Sequence, residues 1–197
     1  MVEAVSVAAH AVKRTPLEAD ASAVVVGTGM IGLLVVQMLR VAGCKQIIAV
    51  DLDESRLALA AKFGATQIFK AGDSDLPSKI RALTGGRGAD AAFEVVGLPP
   101  TVKTAIDCVR KGGSVTLVGN LKPQVDLPLQ MVVTREISLI GACASAGEYP
   151  ECLELIAGGQ INVTGFISVT APLDDGPRWF ERLYAGEPGL MKVLLKP

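Results

Sequence analysis

Ala23-Val24-Val25-Val26-Gly27-Thr28-Gly29-Met30-Ile31-Gly32 is the stretch whose reading decides the fold. A continuous apolar run ends at Gly27, and Met30 to Ala42 then reads as a helix. Between them stands a GxGxxG turn in which each glycine has its own task. Gly27 permits the tight turn, Gly29 lets the backbone come close to a pyrophosphate, and Gly32 lets the helix pack against the sheet. The first turn of the helix, Met30 and Ile31 included, then offers unpaired N–H groups and a partial positive charge to the phosphates.

Glycine-rich turns recur for steric reasons alone, so the reading needs a second feature. Asp51 supplies it at the carboxyl end of the next apolar run, Gln46 to Val50, about 20 residues past the loop. A carboxylate there accepts hydrogen bonds from both ribose hydroxyls and repels a 2′-phosphate, so NAD is expected in preference to NADP. Asp53 is expected to cap the helix that opens at Glu54, leaving Asp51 free. Arg56 is a candidate for the adenine face.

Outward from this centre the chain alternates strand and helix. Gln67 to Phe69, Ala91 to Val96, Ser114 to Val118 and Ile137 to Ile140 read as further strands. Glu54 to Phe63, Leu76 to Leu83, Thr101 to Val109 and Tyr149 to Ile156 read as helices. Unbroken Val/Ile runs separated by helices predict an α/β fold, a doubly wound six-stranded parallel Rossmann sheet buried on both faces. Two flanks read as lying outside that core. Val2 to Val12 is predicted helical, Leu173 to Tyr184 is a final helix, and Leu190 to Leu195 a final strand. The expected division is a linking helix over 1–18, the Rossmann domain over 19–170, and a helix-and-strand tail over 171–197.

Composition bounds the rest. The chain has 197 residues, half of them apolar, and a mean hydropathy of +0.43, which excludes disorder. Its apolar stretches are interrupted well short of the roughly 18–20 residues of a membrane span. With 19 basic and 20 acidic residues the net charge is −1, and no basic stripe suggests nucleic acid. No secretory leader is legible, and Cys44, Cys108, Cys143 and Cys152 lack CxxC spacing, so a cytoplasmic protein with unpaired thiols is expected. His10 is the only histidine, which rules out a histidine metal cluster or a Ser-His-Asp triad within the chain.

Further short motifs, in order and spacing, carry a family resemblance. They are Glu3 to Ala11, Gly27 to Gly32, Val50 to Asp53, Phe63-Gly64-Ala65, Gly88-Ala89-Asp90 and Glu94-Val95-Val96-Gly97. Gly112-Gly113 before Val118-Gly119, and Gly186-Glu187-Pro188-Gly189 before Lys192-Val193, complete the set. The chain resembles the coenzyme-binding half of the zinc-dependent medium-chain alcohol dehydrogenases, in the sorbitol, polyol and threonine dehydrogenase branch. The resemblance implies NAD(H) and a small alcohol or polyol as partners. It implies that Ile31 covers the pyrophosphate, that Asp51 and Arg56 hold the adenosine end, and that Lys192 reaches the pyrophosphate. Val96-Gly97, Val118-Gly119-Asn120 and Ala142-Cys143-Ala144 would line the cofactor at strand ends.

The departures from the family are as informative. The family's preceding catalytic domain, with its zinc ligands, has no counterpart here, so zinc is expected only through that domain and the isolated chain should bind cofactor without turnover. The chain therefore reads as a truncation near a domain boundary. Glu3 matches an acid near the family's zinc and is the one catalytic candidate, against the plain alternative of a helix-start carboxylate. Ala144 stands where sorbitol enzymes carry arginine, and Val169 where a histidine is common, so sorbitol specificity does not follow. The family implies a homodimer or homotetramer, with Gln124 to Leu129, bracketed by Pro123 and Pro128, as the pairing edge. Two other readings share the glycine turn. An S-adenosylmethionine-dependent methyltransferase would carry an acid in the first strand, where this chain has Ala23 to Val26. A nucleotide-sensing module would leave the flanks unexplained.

Overall fold

The computed structural model describes residues 1–197. The chain opens with α1 (Val2–Arg14), β1 (Ser22–Val26), α2 (Met30–Val41), β2 (Gln46–Asp51), α3 (Glu54–Phe63) and β3 (Gln67–Lys70). It continues through α4 (Leu76–Leu83), β4 (Ala89–Glu94), α5 (Pro99–Cys108), β5 (Val109–Leu117), α6 (Leu129–Thr134) and β6 (Ser138–Gly141). It ends with α7 (Tyr149–Ala157), β7 (Ile167–Pro172), α8 (Gly176–Tyr184) and β8 (Lys192–Lys196). The first six strands form one parallel sheet in the order β3-β2-β1-β4-β5-β6. The order reverses between β1 and β4, so the two halves wind away from each other and leave a crevice at their carboxyl ends.

Alternate residues of the central strands feed two cores. Ala23 and Val25, Ile47 and Ala49, and Ala91 and Phe93 pack under α1, α2 and α3. Val24 and Val26, Ile48 and Val50, and Ala92 pack on the opposite face with Ile80 of α4 and Val102 and Ile106 of α5. Being covered on both faces is why these strands read as unbroken apolar runs. α2 is sandwiched more completely than a surface helix, with every residue from Gly32 to Leu39 buried.

The flanks and edges differ from expectation. α1 is not an appendage: Val5, Ala8, Ala9 and Ala11 are fully buried in the first core, against α2 and α7. Its alanines keep the helix close to its neighbours, and a mostly small-residue face is hard to recognise as core by size. Gln124 to Leu129 forms no strand; the chain there is irregular until α6, and the outer edge of the sheet is β6. Pro123 and Pro128 lack the N–H that a strand ladder requires. β7, absent from the sequence reading, pairs in parallel with β8 as a separate two-stranded sheet and crosses the boundary expected at 170. The expected helix from Leu173 divides into a 3-10 turn, Leu173–Asp175, and α8, where Pro177 suits the first turn of a helix.

No helix is long and apolar enough to cross a membrane.

Candidate functional site

The glycine turn lies at the carboxyl end of β1, in the crevice, and the three glycines answer three different demands. Gly27 has φ +95°, and a Cβ on it would stand 2.4 Å from Val96 Cγ2. At Gly32 a Cβ would stand 1.9 Å from the Gly27 carbonyl oxygen, so α2 approaches the turn more closely than any side chain permits. Gly29 meets nothing within 4 Å of such a Cβ. It is the N-cap of α2, without a capping side chain, and no acid occupies the first turn. The positive end of α2 is therefore neither capped nor neutralised, and the space before it admits an anion. Met30 and Ile31 are half-buried there, packed against the first core.

Asp51 ends β2 beside this turn, and it is less free than the sequence suggested. Its Oδ2 accepts hydrogen bonds from the Thr28 N–H at 2.6 Å and the Thr28 hydroxyl at 3.0 Å. Its Oδ1 accepts one from the Asp53 N–H at 2.9 Å. Asp53 does cap α3, accepting from the N–H groups of Ser55 and Arg56 and from the Ser55 hydroxyl. The hydrogen bonds from Ser55 hold the Asp53 carboxyl below its ordinary range, with Arg56 adding to the effect. Arg56 Nε lies 3.7 Å from Asp53 and lines a cavity of about 550 Å³. The cavity runs from Asp53 and Leu59 on α3 across to Phe166 and the Gly186–Met191 segment.

The opposite wall of the crevice comes from the ends of β4 and β5. Glu94 is fully buried, and its carboxylate accepts from the N–H groups of Val96 and Gly97 at 3.0 and 2.8 Å. The Glu94 carbonyl accepts from Val118 and Gly119. These bonds press the two loops together: a Cβ on Gly97 would fall 2.4 Å from the Asn120 nitrogen, and one on Gly119 only 2.2 Å from the Val96 backbone. Val96-Gly97 and Val118-Gly119-Asn120 are thus one interlocked wall. Beyond β6, Ala142 donates to the Leu117 carbonyl, Cys143 is exposed, and Ala144 adopts φ +55°. The loop after them is tied down by Glu148, which accepts from the Ala146 N–H and pairs with His10 of α1 at 2.8 Å. The hydrogen bond from His10 keeps the Glu148 carboxyl low, reinforced by the Ala146 N–H.

Structure thus gathers Gly27 to Gly32, Asp51, Val96-Gly97 and Val118 to Asn120 at one end of the sheet, where the parallel register carries every strand terminus. Lys192 opens β8, half-buried and in no ion pair. Glu3 is exposed in the first turn of α1, and its carboxylate makes no ion pair. Two positioning side chains escaped the sequence reading. Thr28 looks like filler between glycines, and Glu94 reads only as part of the Glu94-Val95-Val96-Gly97 motif, with no role of its own. No group of three or more His, Cys, Asp or Glu side chains could hold a metal ion, and His10 is committed to Glu148. The residues of this chain do not fit a zinc site.

Comparison with known proteins identifies the family and the fold. The zinc-binding dehydrogenase family profile matches residues 31–158. Sorbitol dehydrogenase of Bacillus subtilis is 31% identical over 199 residues, covering 100% of this chain and 56% of the relative. The crystal structure of 2R,3R-butanediol dehydrogenase from Bacillus subtilis superposes with a TM-score of 0.91 at 31% identity, over 100% of this chain and 56% of that one. A zinc-binding dehydrogenase from Sinorhizobium meliloti 1021, crystallised bound to NADP, superposes at 0.88 with 26% identity, over 100% of this chain and 58% of that one. The chain spans about half the length of the relatives it matches. It belongs to the zinc-binding dehydrogenase family.

Proposed function

We propose that this chain is the NAD(H)-binding part of a dehydrogenase that transfers hydride between an alcohol or polyol and nicotinamide. The observation that carries the reading is the uncapped, uncharged start of α2 at Gly29, set beside a carboxylate at the end of β2. The N–H groups of Gly29, Met30 and Ile31 hold the pyrophosphate, and Asp51 accepts from the ribose hydroxyls. Arg56 lies over the adenosine end, and Lys192 adds a cation toward the pyrophosphate. The interlocked wall of Val96-Gly97 and Val118-Gly119-Asn120, with Ala142-Cys143-Ala144, orients the nicotinamide and keeps water from one of its faces. When bound, the nicotinamide ring is the hydride acceptor or donor.

This chain contributes cofactor position and ribose choice, while metal ligands and most of the substrate pocket come from outside it. Glu3 is its one acid offered to that outside part. Family membership weighs against the methyltransferase and nucleotide-sensing readings. Four unpaired cysteines fit a cytoplasmic setting. A homodimer or homotetramer is supported by the unpaired outer edge of β6 and the exposed Leu129 and Val133 on the adjoining α6.

Calorimetric titration with NADH, NADPH and S-adenosylmethionine tests the reading. The wild-type chain should bind NADH most tightly, and Asp51→Ala should weaken NADH by roughly tenfold or more while sparing NADPH, so that the preference collapses. Tighter binding of S-adenosylmethionine, or an unchanged preference in Asp51→Ala, would contradict it. Zinc-dependent alcohol oxidation by the 197-residue chain alone would contradict the division of labour.

A further inference from the structure

We propose that Thr28, the variable residue inside the glycine turn, is the positioning residue for ribose recognition, acting through Asp51. The inference rests on the reading of Asp51 as the ribose acid and adds the device that aims it. An aspartate at a strand end can turn about its side-chain bonds, and only some orientations present its oxygens to the crevice. Here one residue grips the same oxygen twice: the Thr28 N–H at 2.6 Å and the Thr28 hydroxyl at 3.0 Å both donate to Oδ2. The Asp53 N–H holds Oδ1 at 2.9 Å. Thr28 is completely buried, whereas Asp51 is only half-buried. The two Thr28 donors therefore approach the carboxylate from inside the protein.

A carboxylate offers about four acceptor positions. On Oδ2 the buried Thr28 donors engage the group from within, whereas Oδ1 meets only the exposed Asp53 N–H, so the outward side of the carboxylate is left to a ligand. Ordering the acid before the ligand arrives removes part of the entropy that binding would otherwise cost. The hydroxyl also counts separately from the backbone. The N–H at position 28 survives any substitution except proline, so the hydroxyl is the part of the clamp that sequence can vary. Replacing it with a methyl group of similar size sets an apolar group against a carboxylate oxygen, and the acid gains by swinging out toward water.

The test is a set of calorimetric titrations on the 197-residue chain with NADH and NADPH. Thr28→Val should bind NADH roughly three- to tenfold more weakly, the scale of one ordinary net hydrogen bond, because the backbone N–H of residue 28 still holds the carboxylate. NADPH, whose 2′-phosphate gains nothing from the acid, should change less than twofold, so the NADH-over-NADPH ratio falls. Thr28→Ser, which keeps the hydroxyl, should restore the wild-type ratio. Thr28→Ala removes the hydroxyl without adding a methyl group and should behave as Thr28→Val, which covers the case in which the valine variant does not fold. In an Asp51→Ala background neither substitution should move the ratio. A general packing role would weaken both cofactors alike and would persist without Asp51, and either result overturns the proposal. Failure of the wild-type chain to bind NADH overturns the cofactor reading and this inference together. Tight NADH binding with an unaltered ratio in Thr28→Val and Thr28→Ala overturns this inference alone.

Discussion

A methyl group on Gly32 would have to occupy space 1.9 Å from the Gly27 carbonyl oxygen, a distance that backbone on both sides cannot relieve. Gly32→Ala is therefore expected to cost about 3 kcal/mol or more of folding stability, measured by urea denaturation. Gly29→Ala meets no atom and should leave stability within about 1 kcal/mol, although it narrows the anion space. Equal effects of the two substitutions would contradict the assignment of separate roles. The glycine spacing was readable because only glycine meets those demands. Partners of Asp51 were not readable, because Thr28 reaches it across 23 residues and a threonine between glycines carries no pattern. Asp51 is free of capping α3, as expected, yet it is not without partners, because an acid beside a turn finds the turn's own donors.

At the scale of elements, every strand of the six-stranded sheet was legible, the short β3 and β6 included, whereas β7 and α6 were not. β7 alternates apolar with polar residues but ends in Pro172, which argues against a strand, and α6, six residues long, has under two helical turns to show a period. The joint between β4 and β5 shows what sequence hides. Their register shifts between Ala89 and Ala91, and Asp90 at this irregularity is held by the Ser22 N–H and hydroxyl and by Arg110 Nε at 2.7 Å. Burial favours the protonated acid, yet these hydrogen bonds outweigh it and hold the carboxyl down at about 2. Because the folded value lies below the unfolded value of about 3.9, the stabilisation is fully present above roughly pH 4 to 5. It is lost as pH falls toward 2. Asp90→Asn should cost on the order of 2 kcal/mol at neutral pH, and the gap from wild type should close between about pH 5 and pH 2 in urea denaturation. A gap that stays constant with pH would contradict the paired-carboxylate account.

The whole molecule has two unlike ends. At the amino ends of the strands lies a polar basin of about 440 Å³, lined by Asp20, Ser22, Lys45, Arg87 and Asp90 among others, where the carboxylate already has its cation. At the carboxyl ends lie the glycine turn, the anchored Asp51 and the interlocked loops, where the donors of α2 face open space. Strand order and the reversal between β1 and β4 open a crevice at this second end, which is the proposed cofactor site. The turn and the acid were legible in the sequence, and the family resemblance pointed to Gly97 and Gly119, whereas the interlocking of their two loops through Glu94 emerges only in the structure. Amide resonances recorded during an NADH titration of the isotope-labelled chain measure the choice most directly. The account predicts shifts confined to Gly27 to Gly32, Asp51, Arg56, Val96-Gly97, Val118 to Asn120, Ala142 to Ala144 and Lys192, with Ser22 and Asp90 unmoved. Shifts centred on Ser22, Lys45 and Asp90, or a glycine turn that does not respond at saturating NADH, would contradict it.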